Sequence, residues 1–159
     1  MTPRSQQAKE YFLQGYNCAQ SVMLAFCDLL SMSPQQAAAL SSSMGGGVAR
    51  LRDVCGAVSA VALVLGGLYG YSGPETGSVK KEHYQRVRQV IERFQQENGH
   101  YVCRVLLGEE GQDSSPAPSA RTATYYAKRP CGDYVESAAR ILEEYLIECR
   151  HPAFVKEGL

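Results

Sequence analysis

Apolar positions along this chain recur at three- and four-residue spacing, and no segment sustains the period of two that a half-buried strand requires. The first predicted helix covers about Ser5 to Gln14 and stops at Gly15. Asn17 opens a second, because its side chain can cap the first turn while Gln20, three residues on, reaches back. Val22, Phe26, Leu29 and Leu30 then form its apolar stripe. Ser33, Pro34 and Gln36 repeat the capping arrangement, with proline at the first helical position. A fourth helix is expected to begin around Arg50 to Val54 and to hold the most apolar run, "VCGAVSAVALVLGG". The connector "GYSGPETG" ends it.

A long regular helix is predicted from Ser78 to Asn98, with Val79, Val87, Val90, Ile91 and Phe94 on one face and Asn98-Gly99 as its stop. A short segment, "YVCRVLLG", follows. Residues 111–124, "GQDSSPAPSARTAT", have loop composition and are expected to form a mobile surface excursion. After Pro130 the last long helix carries Val135, Ala138, Ala139, Leu142, Tyr145, Leu146 and Cys149 on one stripe. The expected architecture is all-α: one domain over residues 1–159, a bundle of about six helices around a central apolar helix.

Composition narrows the partners. Hydrophobic residues make up 45% and charged ones 20%, as in ordinary soluble globular proteins. Sixteen basic and sixteen acidic side chains cancel, so there is no electrostatic footprint for nucleic acid or an anionic membrane. The N-terminal "MTPRSQQAKEYF" has no apolar core after its basic residue, and no secretory signal is expected. Residues 54–74 are uncharged and long enough to cross a bilayer, but Gly56, Gly66, Gly67, Gly70 and Gly73 interrupt them, which favours a buried helix. The expectation is a cytoplasmic protein without a membrane span.

Six cysteines do not fit that plain picture. At this density in a reducing cytosol, thiols are more often catalytic, redox-active or metal-binding than structural. None is spaced as C-x-x-C, which removes the thioredoxin motif and the common zinc ribbons. Cys27 and Cys149 fall in helix interiors near or on the apolar stripe and read as core. Cys18 and Cys131 sit at helix starts, where unpaired N–H groups and the helix dipole lower a thiol's pKa. Cys55 lies near the start of its helix with Arg50 and Arg52 close by and Gly56 leaving room for close approach, while Cys103 is placed less firmly. Position alone leaves these four evenly divided between reactive thiols and core fillers.

A resemblance tips the balance. "GYNCAQ", "CGAVS" after "MGGGVARLR", Cys103 ahead of Leu106-Leu107-Gly108, and Cys131 follow one another as in the C_GCAxxG_C_C family of redox-active proteins. The chain resembles that family over nearly its whole length, with Ala60 where the motif ends in glycine. The extra methyl is expected to loosen helix contact slightly there. The resemblance implies thiol or electron-transfer chemistry at Cys18, Cys55, Cys103 and Cys131, typical of anaerobic prokaryotes, without naming a reaction or substrate.

Other residues carry weaker signals. Gly45–Gly47 could cradle an anion beside Arg50 and Arg52, but they match no phosphate-binding fingerprint, and a flexible hinge is the expected role. His83 reads as a packing residue and His100, three residues from Cys103, as a solvent-exposed loop side chain. The charges from Lys80 to Arg93 are mixed in sign and mark a solvated helix face.

Three functions remain open. The first is a dithiol/disulfide redox protein cycling two or more of the four cysteines, with an unidentified redox partner, a protein among the candidates. The second uses the same four thiolates as ligands for zinc or an iron–sulfur cluster. The third is a non-catalytic helical interaction module, its partner docking on the small residues of helix 55–70.

Overall fold

The computed structural model describes residues 2–74 and 76–155. Eight α-helices account for most of the described residues: α1 (Arg4–Leu13), α2 (Cys18–Phe26), α3 (Pro34–Ser41), α4 (Gly56–Tyr69), α5 (Gly77–Asn98), α6 (Cys103–Leu107), α7 (Ala123–Lys128) and α8 (Cys131–Glu148). The fold is all-α, and among the described residues the sole extended pairing is an isolated antiparallel bridge between Val54 and Val102. The two helices beyond the expected six are α6 and α7, both too short for a hydrophobic period to register.

Local chemistry explains the helix boundaries. Asn17 accepts from the Gln20 amide at 2.9 Å, and the Gln20 side chain accepts from the Asn17 amide at 3.1 Å. Ser33 and Gln36 close the same capping box on α3. The fourth helix starts later than the expected Arg50–Val54, at Gly56 with Cys55 as its cap. The chain from Gly46 to Arg50 is wound in the opposite hand and cannot join it.

The core forms where α1 packs on α8 and α2, α2 on α3 and α4, and α4 on α5 and α8. Phe12, Val22, Phe26, Val64, Leu65, Leu142 and Leu146 are its largest apolar contributions, all shut off from solvent. Fully burying side chains of this kind stabilises by about 1.5–3 kcal/mol each. Helix α4 spends its small residues inside its own chain: Ala57 and Ala60 are buried, and the start of α4 lies close to α2 at Ala19. Arg86 of α5 ties two neighbours together, lying 4.2 Å over the Tyr69 ring and donating to the Tyr145 hydroxyl at 3.0 Å. Val79 departs from the expected apolar face of α5, being exposed one turn into the helix, while Val90 and Phe94 are buried. Among the described residues no helix is long and apolar enough to cross a membrane.

Candidate functional site

Four segments from distant parts of the chain end at one place. Cys18, Cys103 and Cys131 are the first residues of α2, α6 and α8, and Cys55 caps α4. All four line a single cavity of about 350 Å³. Cys55, Cys103 and Cys131 are buried, Cys18 is half-buried, and all six cysteines of the chain are free thiols. Cys27 is buried in the core, as its stripe position implies. Cys149 is not: it falls at the C-cap of α8, one residue past the last helical turn, and is exposed.

The short bridge closes the gap between Cys55 and Cys103. The Cys55 amide donates to the Tyr101 carbonyl at 2.9 Å, the Cys103 amide to the Asp53 carbonyl at 2.6 Å, and the Arg104 amide to the Arg52 carbonyl at 3.1 Å. Each cysteine therefore follows directly on the bridge and begins its own helix. Gly56 lets this junction seat, since a Cβ there would lie 2.8 Å from the Met44 carbonyl oxygen.

The segment before the bridge is strained. Gly46, Gly47, Val48, Ala49 and Arg50 have φ of 66°, 70°, 61°, 48° and 63°, a left-handed turn, and Arg52 follows at 64°. The amides of Arg50, Arg52 and Asp53 close it on the carbonyls of Gly45, Gly46 and Gly47. Glycine adopts this geometry freely, whereas each other residue in it costs about 1–2 kcal/mol. Gly47 is required for space as well, because a Cβ would meet the Asp53 amide nitrogen at 2.7 Å and Cys103 Cβ at 2.8 Å. The glycine run is thus a fixed, hydrogen-bonded turn and not the expected hinge. It turns the side chains of Arg50 and Arg52 to the cavity wall.

Arg52 is the largest wholly enclosed side chain, 2% exposed. Its Nε donates to the Asp113 carbonyl at 2.9 Å and one terminal nitrogen lies 3.7 Å from Cys103 Sγ. Across the cavity, Arg121 donates to the carbonyls of Phe12 and Tyr16, both at 3.0 Å, and Arg129 packs 4.9 Å from the Tyr125 ring. Within the expected loop at 111–124, Pro116, Pro118, Ser119 and Arg121 form part of the cavity wall. The contributions of Arg121, Tyr125 and Arg129 escaped the sequence reading. Two arginines bracketing a tyrosine pair just before Pro130-Cys131 were the available signal.

Helix starts alone do not decide which thiol ionises. Interaction between the Cys18 and Cys131 thiols is the largest influence on both, and it moves their pKa values apart. Cys131 is held below the ordinary thiol value by that interaction and by the charges of Arg129, Arg121 and Arg52, against the opposing effect of burial. Cys18 is pushed well up, first by this pairing and then by burial. Cys55 is pushed up to about 12 by burial, which outweighs the Val58 and Ala57 amides that favour its thiolate. Burial also raises Cys103, opposed by Arg52. The activation expected at helix starts is overridden by the interaction with Cys131 and by burial at Cys18, and by burial at Cys55. Of the four, Cys131 alone is held below the ordinary thiol value.

The histidines stay out of this chemistry. His100 Nδ1 accepts from the Val102 amide at 3.0 Å and its ring stacks on Tyr101, so it braces the turn before Cys103. His151 caps the short C-terminal turn at Pro152, and His83 packs edge-on against Tyr71. Zinc ligation needs several donors within about 2.3 Å of one point. Among the described residues no three His, Cys, Asp or Glu side chains are gathered closely enough to hold a metal ion.

The protein is thus an all-α fold in which four cysteines at helix starts line one arginine-walled cavity. The chain belongs to the family described as "Putative redox-active protein (C_GCAxxG_C_C)", whose model matches residues 16–145. No curated protein and no solved structure gives a significant match.

Proposed function

We propose that this protein carries out thiol–disulfide exchange on a small disulfide that enters the cavity, with Cys131 as the attacking thiolate and Cys18 as the resolving thiol. The observation that carries this reading is the placement of Cys18 and Cys131 at the starts of α2 and α8 in the wall of one cavity, with the Cys131 thiol held below its ordinary pKa and the Cys18 thiol above it. Burial of Cys131, a residue 8% exposed, favours a small substrate over a protein disulfide. A reducing cytoplasm fits six free thiols.

The exchange balances in two steps. Cys131 Sγ⁻ attacks one sulfur of R–S–S–R, forming a mixed disulfide and releasing R–S⁻, which takes the Cys18 proton. The Cys18 thiolate then attacks Cys131 Sγ, breaking the mixed disulfide, forming Cys18–Cys131 and releasing the second R–S⁻. Two electrons pass from the cysteine pair to the substrate. Cys55 and Cys103 remain protonated in the wall.

Anaerobic alkylation with mass spectrometry, before and after denaturation and without reductant, tests this. After treatment with a small disulfide, Cys18 and Cys131 should stay blocked in the denatured chain and be recovered as one cross-linked peptide pair. Full alkylation of both, or a link joining other cysteines, would overturn the assignment.

A further inference from the structure

Beside the thiols the cavity holds unspent positive charge. Arg50, Arg52, Arg121 and Arg129 contribute to its wall, and among the described residues no aspartate or glutamate does. Arg121 is spent on backbone carbonyls, and Arg129 donates to Glu110 at 3.4 Å and Ser119 at 3.1 Å. The other two are not fully spent. Among the described residues, one terminal nitrogen of Arg52, a residue 2% exposed, has no hydrogen-bond partner, nor does one terminal nitrogen of Arg50, whose second nitrogen reaches the Asp113 carboxylate only at 3.4 Å. Leaving a buried charged donor unmatched is costly, and a guanidinium presents its N–H groups in a plane that suits an oxyanion. The strained turn at Gly46–Arg50 exists to hold these two side chains where a relaxed strand or helix would not.

We infer that the cavity is a binding site for a small organic carboxylate, its oxygens taken by the free nitrogens of Arg50 and Arg52 and its apolar body lying against Phe12, Leu106, Tyr125 and Tyr134. The volume of about 350 Å³ suits a molecule of that size. The apolar wall selects a carboxylate on a hydrocarbon frame over a small, strongly hydrated inorganic anion. The second nitrogen of Arg52 already touches Cys103, so the anion lies next to the thiols. That it is the handle of the reacting disulfide rests on the exchange reading above; the binding itself does not.

Equilibrium binding to the fully reduced native chain is the test, using 3-phenylpropionate, its neutral amide and inorganic phosphate as probes in calorimetry. The carboxylate should bind roughly tenfold or more tightly than the amide, as a charge-assisted bidentate contact implies, and phosphate should bind more weakly than the carboxylate. Arg52→Gln and Arg50→Gln should each erase the preference for acid over amide. Equal binding of acid and amide, no binding of the acid to the native chain, or phosphate binding as tightly as the carboxylate would overturn the inference. The comparison on the native chain stands even where Arg52→Gln fails to fold. A second readout separates this from the exchange chemistry: the rate of reduction of 3,3′-dithiodipropionate against its neutral diamide. Reduction of both at one rate would count against the carboxylate handle and leave the exchange reading intact. Reduction of neither would end the exchange reading while calorimetry still decides the binding site.

Discussion

Cys18, the first residue of α2, and Cys131, the first residue of α8, share one cavity wall, and their thiols shift each other's pKa in opposite directions. Removing Cys18 must therefore be felt at Cys131. Cys18→Ala is expected to slow alkylation of Cys131 at pH 7 several-fold, followed peptide by peptide in mass spectra. An unchanged rate would mean that Cys18 does not sustain the Cys131 thiolate.

The pH dependence has a definite sign. A thiol held below the ordinary value of 9.0 gains thiolate as pH rises through an inflection lower than 9.0, which is the expectation for Cys131. Cys55 should remain protonated until about 12. The pH dependence of alkylation, followed peptide by peptide, reads the Cys131 step. Arg129→Gln and Arg121→Gln should each move the first inflection upward, because both charges favour the Cys131 thiolate. A first inflection at or above 9.0 in the native chain would contradict the arrangement.

The left-handed turn can be probed from both sides. Ala49 is exposed with φ of 48°, so Ala49→Gly gives up no packing and is expected to stabilise the fold by about 1 kcal/mol. Gly47→Ala should do the reverse by about 2–4 kcal/mol, since its Cβ would press on Asp53 and Cys103. Denaturant midpoints measure both, and equal midpoints for the two variants would refute the strain.

Asn17 links a helix cap to the chemistry. It closes the capping box on α2 and its amide donates to the Ser42 carbonyl at 3.0 Å, just before Cys18. Asn17→Ala is expected to cost about 1 kcal/mol and to raise the Cys131 inflection as Cys18 loses its fixed position. By contrast Leu142→Ala, in the sealed core, should cost about 2–5 kcal/mol and leave that inflection in place. Stability and the pH dependence of alkylation measured on the same samples distinguish the two effects.

What could be read in the chain beforehand was whatever depends on neighbours in sequence. Asn17 with Gln20 and Ser33 with Gln36 act within one turn, so their capping boxes were legible, as was the apolar stripe of α8. Val79 and Cys149 misled because an apolar residue at the end of a stripe can overhang the core it points toward. The bridge between Val54 and Val102 is a single residue pair long and leaves no alternation to detect. The pKa order of the cysteines was out of reach for another reason: helix position is local, whereas the burial of Cys55 and the interaction of Cys131 with Cys18 depend on segments far along the chain.

The cavity wall is stitched across long sequence intervals. Arg121 grips the end of α1 at Phe12 and Tyr16, and Arg52 holds the carbonyl of Asp113. No contiguous stretch of the polypeptide inherits the pocket. An excised piece could keep its caps, its apolar stripes and even its cysteines, yet the place where they meet is a property of the completed chain alone, closed only when its beginning and its end have found each other.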